Sequence, residues 1–274
     1  MNFSLLMSIY SKERPEHFDR CMRSIWNEQR VQPSQIVLVE DGKLSIELYD
    51  TIDKWEKELN GVLHRLPLEK NSGLGESLSA GLSQCSYDLV ARMDTDDVAF
   101  SNRFQKQIDY LHDHTEVDIV GGWICEFDVD ENVCQRIRRV PQKHDEIVKF
   151  AKFRNPMNHM TVMFRKSAVE RAGSYRSMPG FEDYDLWIRM IQNGSRLANI
   201  PGVLLRARTG EGMIERRRGW RYVRQEWHFA RAAYQTGFWS FPLAMRNAML
   251  RSAIRLLPAG LLGSMYNFLR KKRT

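Results

Sequence analysis

Over its first 97 residues the chain alternates short apolar runs with stretches whose apolar residues recur at helical spacing, and this alternation restricts the fold more than any other feature. "NFSLLMSIY" and "QIVLVEDG" read as strands. Between them, "PEHFDRCMRSIWNEQ" sets Phe18, Met22, Ile25 and Trp26 at helical spacing. The unit recurs: "IELYDTIDKWEKELN" predicts a helix, "GVLHRLPLEK" a short strand, "GLGESLSAGLSQC" a helix and "DLVARMDTDD" a strand with an acidic end. Strands alternating with helices imply a parallel, doubly wound α/β sheet, whose ligands bind beyond the carboxyl ends of its strands. Two acidic clusters, "VEDG" at 39–42 and "DTDD" at 94–97, fall at such ends and are expected to face one crevice.

The second half changes character. After a helix over "SNRFQKQIDYLHDH", the segment "VDIVGGWICEFDVDENVCQRIRRVP" alternates and turns like antiparallel strands, so the sheet is expected to become mixed. "HDEIVKFAKF" predicts a helix, "HMTVMFRKS" a strand, and "SAVERAG" a short helix ended by Gly173. With 274 residues, 43% of them hydrophobic, the chain has enough apolar material for a sizeable core. Cys21, Cys85, Cys125 and Cys134 form no CxxC pair and have no interleaved His, so free thiols are expected rather than a metal site or a disulfide framework. "MNFSLLMSIY" reads as a first strand and not as a signal peptide. No run of about 18 apolar residues exists that would span a membrane.

Charge is distributed unevenly. The net charge is +7, but residues 214–274 hold 13 Lys and Arg against two acidic residues, +11, which leaves 28 against 32, −4, for residues 1–213. The segments "GMIERRRGWRYVRQEWHFARAAY" and "FPLAMRNAMLRSAIRLLPAGLLGSMYNFLRKKRT" mix these cations with Trp, Phe, Met and Leu. They are expected to be helical and to lie on an anionic membrane surface. Packing on the preceding α/β part with a solvated basic face is the alternative. Nucleic acid is the reading set aside.

Three constellations carry chemistry. Carboxylates crowded at a strand end repel one another, and Asp94, Asp96 and Asp97 fit a hard divalent cation, Mn²⁺ or Mg²⁺, or else a solvated acidic turn that caps the next helix. Glu40 and Asp41 at the second strand end suit a nucleobase or ribose, or an ordinary strand exit. In "GFEDYDLWIRM", Glu182, Asp183 and Asp185 supply a general base at a helix start or simply satisfy the helix dipole. "KNSGLGESLSAG" has Leu78 where a GxGxxG element needs glycine and lacks the GK[ST] of a P-loop, so neither a dinucleotide fold nor an NTPase is supported.

In this order, the stretches resemble the family 2 glycosyltransferases of the GT-A fold, over roughly residues 3–215. "SIYSKERPEHFDRCMRSIWNEQ" resembles the family's opening, "IVLVEDG" its VDDGS element, "NSGLGESLSAG" its Asn-x-Gly helix entry, "DTDD" its DxD element and "FEDYDLW" its ED element. "NPMNHMTVMFRKSAV" is similar to the bacterial surface-polysaccharide branch. The resemblance implies a Rossmann-like, mixed, mostly parallel sheet in a catalytic domain over residues 1–214, followed by a basic helical tail over 215–274.

It further implies inverting, metal-dependent transfer of one sugar from a nucleotide-diphosphate sugar, a UDP-sugar, to a saccharide acceptor, lipid-linked, at the inner face of the cell membrane. Asp41 would contact the base, with Ser8 and Glu13 lining the nucleotide pocket and Arg92 and Asp94 lying against the nucleotide. Asp96 would hold the Mn²⁺ or Mg²⁺, with Asp97 nearby, and Asp183 would take the acceptor's proton. His159 either lines the acceptor side or is structural. Two departures stand out: Glu40 replaces the first Asp of the family's Asp-Asp pair, and no QxxRW element follows, which favours single transfer over a processive synthase. A sugar-phosphate nucleotidyltransferase, which would carry a GxGxR-type loop near its amino terminus, and a non-catalytic membrane-associated binding protein are the alternatives.

Overall fold

The structure, a computed structural model, describes residues 1–209 and 218–257; expectations for 210–217 and 258–274 fall outside these residues. The chain divides into two compact units, Met1–Arg208 and Thr209–Thr274.

In the first unit, β1 (Ser4–Ile9), β2 (Gln35–Glu40), β3 (Leu63–Pro67) and β4 (Leu89–Arg92) are joined by α1 (Pro15–Ile25), α2 (Ile46–Leu59) and α3 (Leu74–Gln84). β1 pairs in parallel with β2 and β4, and β2 with β3. Strand periodicity sorts the side chains between two cores: Leu5, Met7, Ile9, Ile36 and Leu38 pack on one face, and Leu6, Val37 and Val39 on the other. The helices follow their apolar spacing. Phe18, Cys21, Met22 and Ile25 are the buried stripe of α1, which starts at Pro15, where a missing N–H costs nothing. Ser45 caps α2 by accepting from the Leu48 N–H at 3.3 Å, and Asn60 ends it in the left-handed conformation. α3 lies so close to the sheet that a Cβ on Gly81 would fall 2.5 Å from both Leu6 and Val39 side chains.

Then come β5 (Val98–Ala99), α4 (Arg103–Asp113), β6 (Ile119–Phe127), β7 (Arg136–Arg138), α5 (His144–Ala151), β8 (Met163–Arg165), α6 (Lys166–Arg171), α7 (Glu182–Gln192) and β9 (Leu197–Arg208). The nine-stranded sheet runs β3-β2-β1-β4-β8-β6-β9-β5, with β7 paired to β6. β8 runs antiparallel to β4 and β6, so the sheet is mixed as expected.

Three details depart from the sequence reading. β9 had no strand signal because Pro201 and Gly202 interrupt it, yet it pairs along β6 with register shifts around Trp123. The strand expected over 159–167 is only Met163–Arg165, because His159–Thr161 form a 3₁₀ turn held by the Thr161 hydroxyl donating to the Asn158 carbonyl at 2.7 Å. Cys125 and Cys134 are joined in a disulfide, against the expectation of free thiols, because the β6–β7 hairpin folds them to a Cα–Cα distance of 5.6 Å; Cys21 and Cys85 are free and buried.

The second unit contains α8 (Gly219–Gln235) and α9 (Phe241–Leu256). Pro242 occupies the first turn of α9, where its missing N–H costs nothing. The buried Glu226 of α8 accepts from Arg255 at 3.1 Å and Arg251 at 3.4 Å, and Trp239 meets Phe229 edge-on at 5.3 Å. On the outer side of α8, Trp220, Trp227 and Tyr234 recur every seventh residue and are exposed, with Arg221, Arg224 and Arg231 between them. No helix among the described residues is long and apolar enough to cross a membrane.

Candidate active site

β1 lies between β2 and β4 and runs parallel to both, so the carboxyl ends of these three strands open on one side of the sheet. At the end of β2 the two acids part. Glu40 is buried and accepts from Arg65 Nε of β3 at 2.6 Å, which makes it a structural anion. Asp41 turns toward the entry of α3, accepting from the Ser72 N–H at 2.7 Å and the Gly73 N–H at 3.1 Å. Each carboxylate oxygen keeps a further lone pair for a ligand. Ser8, half-buried on β1, sits in register with Val39 of β2.

Beyond β4 the acidic loop is tied down on several sides. Glu13 accepts from the Thr95 hydroxyl at 2.7 Å, so the loop after β1 and the "DTDD" turn form one wall. Burial raises the Glu13 pKa, with the Asp94 charge adding to it. Asp97 is buried: one oxygen accepts from the Arg208 N–H at 2.9 Å, fastening the end of β9, and the other has no hydrogen-bond partner among the described residues. Burial, then the charges of Asp96 and Asp94, push its pKa well up. Asp96 is pushed up to about 7 by burial, by Asp94 and by Glu13. Behind the turn, the buried Arg103 donates to the Arg92 carbonyl at 2.6 Å and to Gln107 at 3.2 Å; burial brings its pKa down to about 9 against the pull of Asp97.

Arg92 is the centre of the site. Its guanidinium is buried, ion-paired through Nη2 to Asp94, and its Nε and Nη1 have no hydrogen-bond partner among the described residues. Its charge bears on Asp94 and Asp97 on one side and on Glu182 and Asp183 on the other. The Arg92 charge thus reaches acids of both "DTDD" and "FEDYDLW".

Asp183, in the first turn of α7, is half-buried; one oxygen accepts from Asn155 Nδ2 at 2.5 Å and the other from the Tyr184 N–H at 2.7 Å. Burial raises its pKa, while Asn155, Tyr184, Arg92 and Arg138 oppose the rise. The neighbouring Glu182 is pushed up to about 7, chiefly by burial. His159 is held neutral by burial and by Arg92; its Nε2 lies 3.0 Å from the Tyr175 hydroxyl and its ring meets Trp187 edge-on, which is a packed, structural setting.

The sequence reading had no role for Asn155, Arg138 or Tyr175. Asn155 stood in the quoted "NPMNHM" stretch, but its partner lies 28 positions away. The first turn of α3 also touches the α7 side: a Cβ on Gly75 would collide with the Arg176 carbonyl and press on the Glu182 side chain.

The acidic loop fits a hard cation. Its donors are carboxylate oxygens, and Asp97 holds an orphaned buried oxygen. Among the described residues no group of three or more His, Cys, Asp or Glu side chains forms a complete metal cage. One or two carboxylates completed by substrate phosphates is the arrangement Mg²⁺ and Mn²⁺ accept.

Comparison with known proteins gives concordant matches. The model of the family described as Glycosyl transferase family 2 matches residues 4–171. An amylovoran biosynthesis glycosyltransferase, AmsE of Erwinia amylovora, is 42% identical over 98% of this chain and 99% of its own length. The UDP-Gal:alpha-D-GlcNAc-diphosphoundecaprenol beta-1,3-galactosyltransferase of Escherichia coli is 36% identical over 96% of this chain and 94% of its own. Among solved structures, S. aureus TarS 1-349 in complex with UDP-GlcNAc superposes with a TM-score of 0.65 at 18% identity, covering 85% of this chain and 66% of that one. The mannosyltransferase PcManGT from Pyrobaculum calidifontis, in complex with GDP-Man and Mn²⁺, gives 0.62 at 14% identity, over 98% and 81%. The sheet and its flanking helices are of the GT-A class that these structures share.

Proposed function

Because the chain belongs to glycosyl transferase family 2, and is a glycosyltransferase, we propose that it moves one sugar with inversion from a UDP-sugar to a saccharide acceptor carried on a lipid diphosphate, in bacterial surface-polysaccharide synthesis. Family membership also sets aside the nucleotidyltransferase and non-catalytic readings. The observation that carries the proposal is the convergence of the "DTDD" loop and Asp183 on Arg92.

In this reading the acceptor hydroxyl attacks the anomeric carbon, its proton passes to Asp183, and the bond to the departing UDP breaks in the same in-line displacement, which inverts the centre. Asn155 and the Tyr184 N–H fix both Asp183 oxygens, and Arg92 favours the charged, proton-accepting form. Asp41 and Ser8 line the base and ribose side, Glu13 supports the loop through Thr95, and Arg92 with Asp94 lies against the nucleotide. Asp96 would hold a divalent cation, Mn²⁺ or Mg²⁺, with Asp97 anchoring the loop from behind. Such a cation, when bound, stabilises the leaving diphosphate as a Lewis acid.

Residues 1–214 form the catalytic domain in this proposal, and residues 215–274 dock it on the inner face of the cell membrane. The Trp220, Trp227 and Tyr234 stripe with its interleaved arginines supports that docking, since aromatic rings enter the headgroup boundary while cations meet anionic lipid.

UDP release measured over a panel of UDP-sugars with Mn²⁺ tests the chemistry. Wild type turns over at least one donor while Asp96→Ala and Asp183→Asn do not, and equal rates for all three refute the mechanism. Flotation with anionic vesicles tests the docking. Recovery of a Trp220→Ser, Trp227→Ser variant equal to wild type sinks it.

A further inference from the structure

Resting on that glycosyl-transfer reading, we propose that Arg103 and Gln107 are a positioning pair, which sets the distance between the strand end at Arg92 and the turn that carries Asn155. Both side chains are wholly buried and lie one turn apart on the inner face of α4. Arg103 Nη2 donates to the Arg92 carbonyl at 2.6 Å, and Arg103 Nε donates to Gln107 Oε1 at 3.2 Å. Gln107 Nε2 in turn donates to the Thr161 carbonyl at 2.7 Å and to the Val120 carbonyl at 3.1 Å. Two side chains thereby tie together the end of β4, the start of β6 and the 3₁₀ turn before β8. Phe104, Ile108 and Leu111 fill the rest of this helix face with apolar volume, which avoids the cost of desolvating a guanidinium and an amide.

The segments so joined are the two sides of the site. Arg92 holds Asp94 and leads into the acidic loop, and its own N–H donates to the Val162 carbonyl at 2.9 Å. Thr161 closes the turn: its hydroxyl donates to the Asn158 carbonyl at 2.7 Å and accepts from the Gly122 N–H at 3.0 Å. Asn158 Nδ2 donates to the Gly122 carbonyl at 2.8 Å, which fastens the same turn to β6. At its start, Asn155 donates to Asp183 while its Oδ1 accepts from the Met157 N–H at 3.3 Å. An unbroken run of hydrogen bonds therefore leads from Arg92 through Arg103 and Gln107 to Thr161, in the turn that orients the base.

In-line displacement requires the attacking oxygen and the anomeric carbon to be about 3–3.5 Å apart, and a misplacement of about 1 Å costs roughly a hundredfold in rate. A pair that fixes the span between the leaving-group side and the base side acts on kcat. Donor affinity, which in this reading rests on Asp41 and the acidic loop, is expected to stay near its original value.

Gln107→Met keeps the side-chain volume and removes the hydrogen bonds of the amide, whereas Gln107→Asn keeps the amide on a stem one methylene shorter. Transfer from the UDP-sugar that wild type turns over is measured with kcat and donor KM separated. In both variants kcat should fall about ten- to a hundredfold with donor KM within about threefold. Leu111→Ala, which loosens the core one turn further along α4, should keep kcat within about threefold. A kcat for folded Gln107→Met within threefold of wild type, or an equal fall in Leu111→Ala, overturns the pair. If Gln107→Met does not fold, Gln107→Asn is held to the same comparison. A second readout needs no turnover: the side-chain amide resonance of Asn155, assigned by its loss in Asn155→Leu, should shift in both Gln107 variants and stay in place in Leu111→Ala. A resonance that the Gln107 variants leave unmoved overturns the pair. A shifted resonance in a protein that transfers from no donor refutes the glycosyl-transfer reading and leaves the pair standing.

Discussion

Neutralising Asp96 should make the metal-free protein more stable while removing its response to metal. Burial, Asp94 and Glu13 raise the Asp96 pKa from the ordinary 3.8 to about 7. A raised carboxyl favours the folded state most below about pH 4, where it is protonated in both states. That contribution is lost as the pH climbs through about 7. At roughly 1.4 kcal/mol per pKa unit, the charged side chain costs the folded protein at most about 4 kcal/mol at pH 8.5, shared with Asp94 and Asp97. Asp96→Asn relieves that penalty, and for a chain of this size the melting temperature should rise by about 5 to 15 °C at pH 8.5 in EDTA. The gain should shrink toward zero near pH 4. Mn²⁺ at a hundred times its dissociation constant should stabilise wild type by about 2.7 kcal/mol and leave the variant nearly unmoved. Thermal melts across pH 4–9, with EDTA or Mn²⁺, make the measurement. Parallel pH curves for the two proteins, or equal stabilisation of both by Mn²⁺, would refute the electrostatic account of the loop.

Removing the Asn155 donor by Asn155→Leu takes a charge-assisted hydrogen bond from ionised Asp183, about 1.5–3 kcal/mol, and should raise that carboxyl's pKa further. The acid limb of the kcat/KM profile then moves to higher pH with recovery at alkaline pH, and a uniform loss at every pH contradicts this. In the second unit, Glu226→Leu leaves Arg251 and Arg255 without their buried carboxylate and should cost about 3–5 kcal/mol, read as faster amide exchange in α8 and α9. Gly81→Val forces side-chain volume against Leu6 and Val39 and should cost about 1–3 kcal/mol in urea denaturation, more than Gly81→Ala.

The strands and helices of the first half were legible because each residue's environment repeats with the backbone: Leu5 and Leu6 face opposite cores as their neighbours in sequence demand. β9 was not, because Pro201 and Gly202 erase the alternation while long-range pairing with β6 supplies the missing order. The Cys125–Cys134 pair was hidden for a related reason, since only the hairpin brings the two thiols together. At the site, "DTDD" and "FEDYDLW" were visible as residue types in a pattern. Their connection through Arg92, and the burial of Glu40 against Arg65, depend on where side chains point after folding. Asn155 and Arg138 carry no local signature, because each acquires its meaning from Asp183 across a tertiary gap.

The missing side chain at Gly75 bears on how such enzymes diversify. In the proposed reading α3 lies on the donor side and Arg176 and Glu182 on the acceptor side, and the two meet where no methyl group fits. A recombinant that imports a relative's residues 136–199 to obtain a new acceptor also imports its backbone at 176. Position 75 must then travel with the imported segment or remain glycine. Exchange of such segments is therefore constrained at the joint between the entry of α3 and the start of α7, and a chimera library should be sorted by residue 75 before it is sorted by activity.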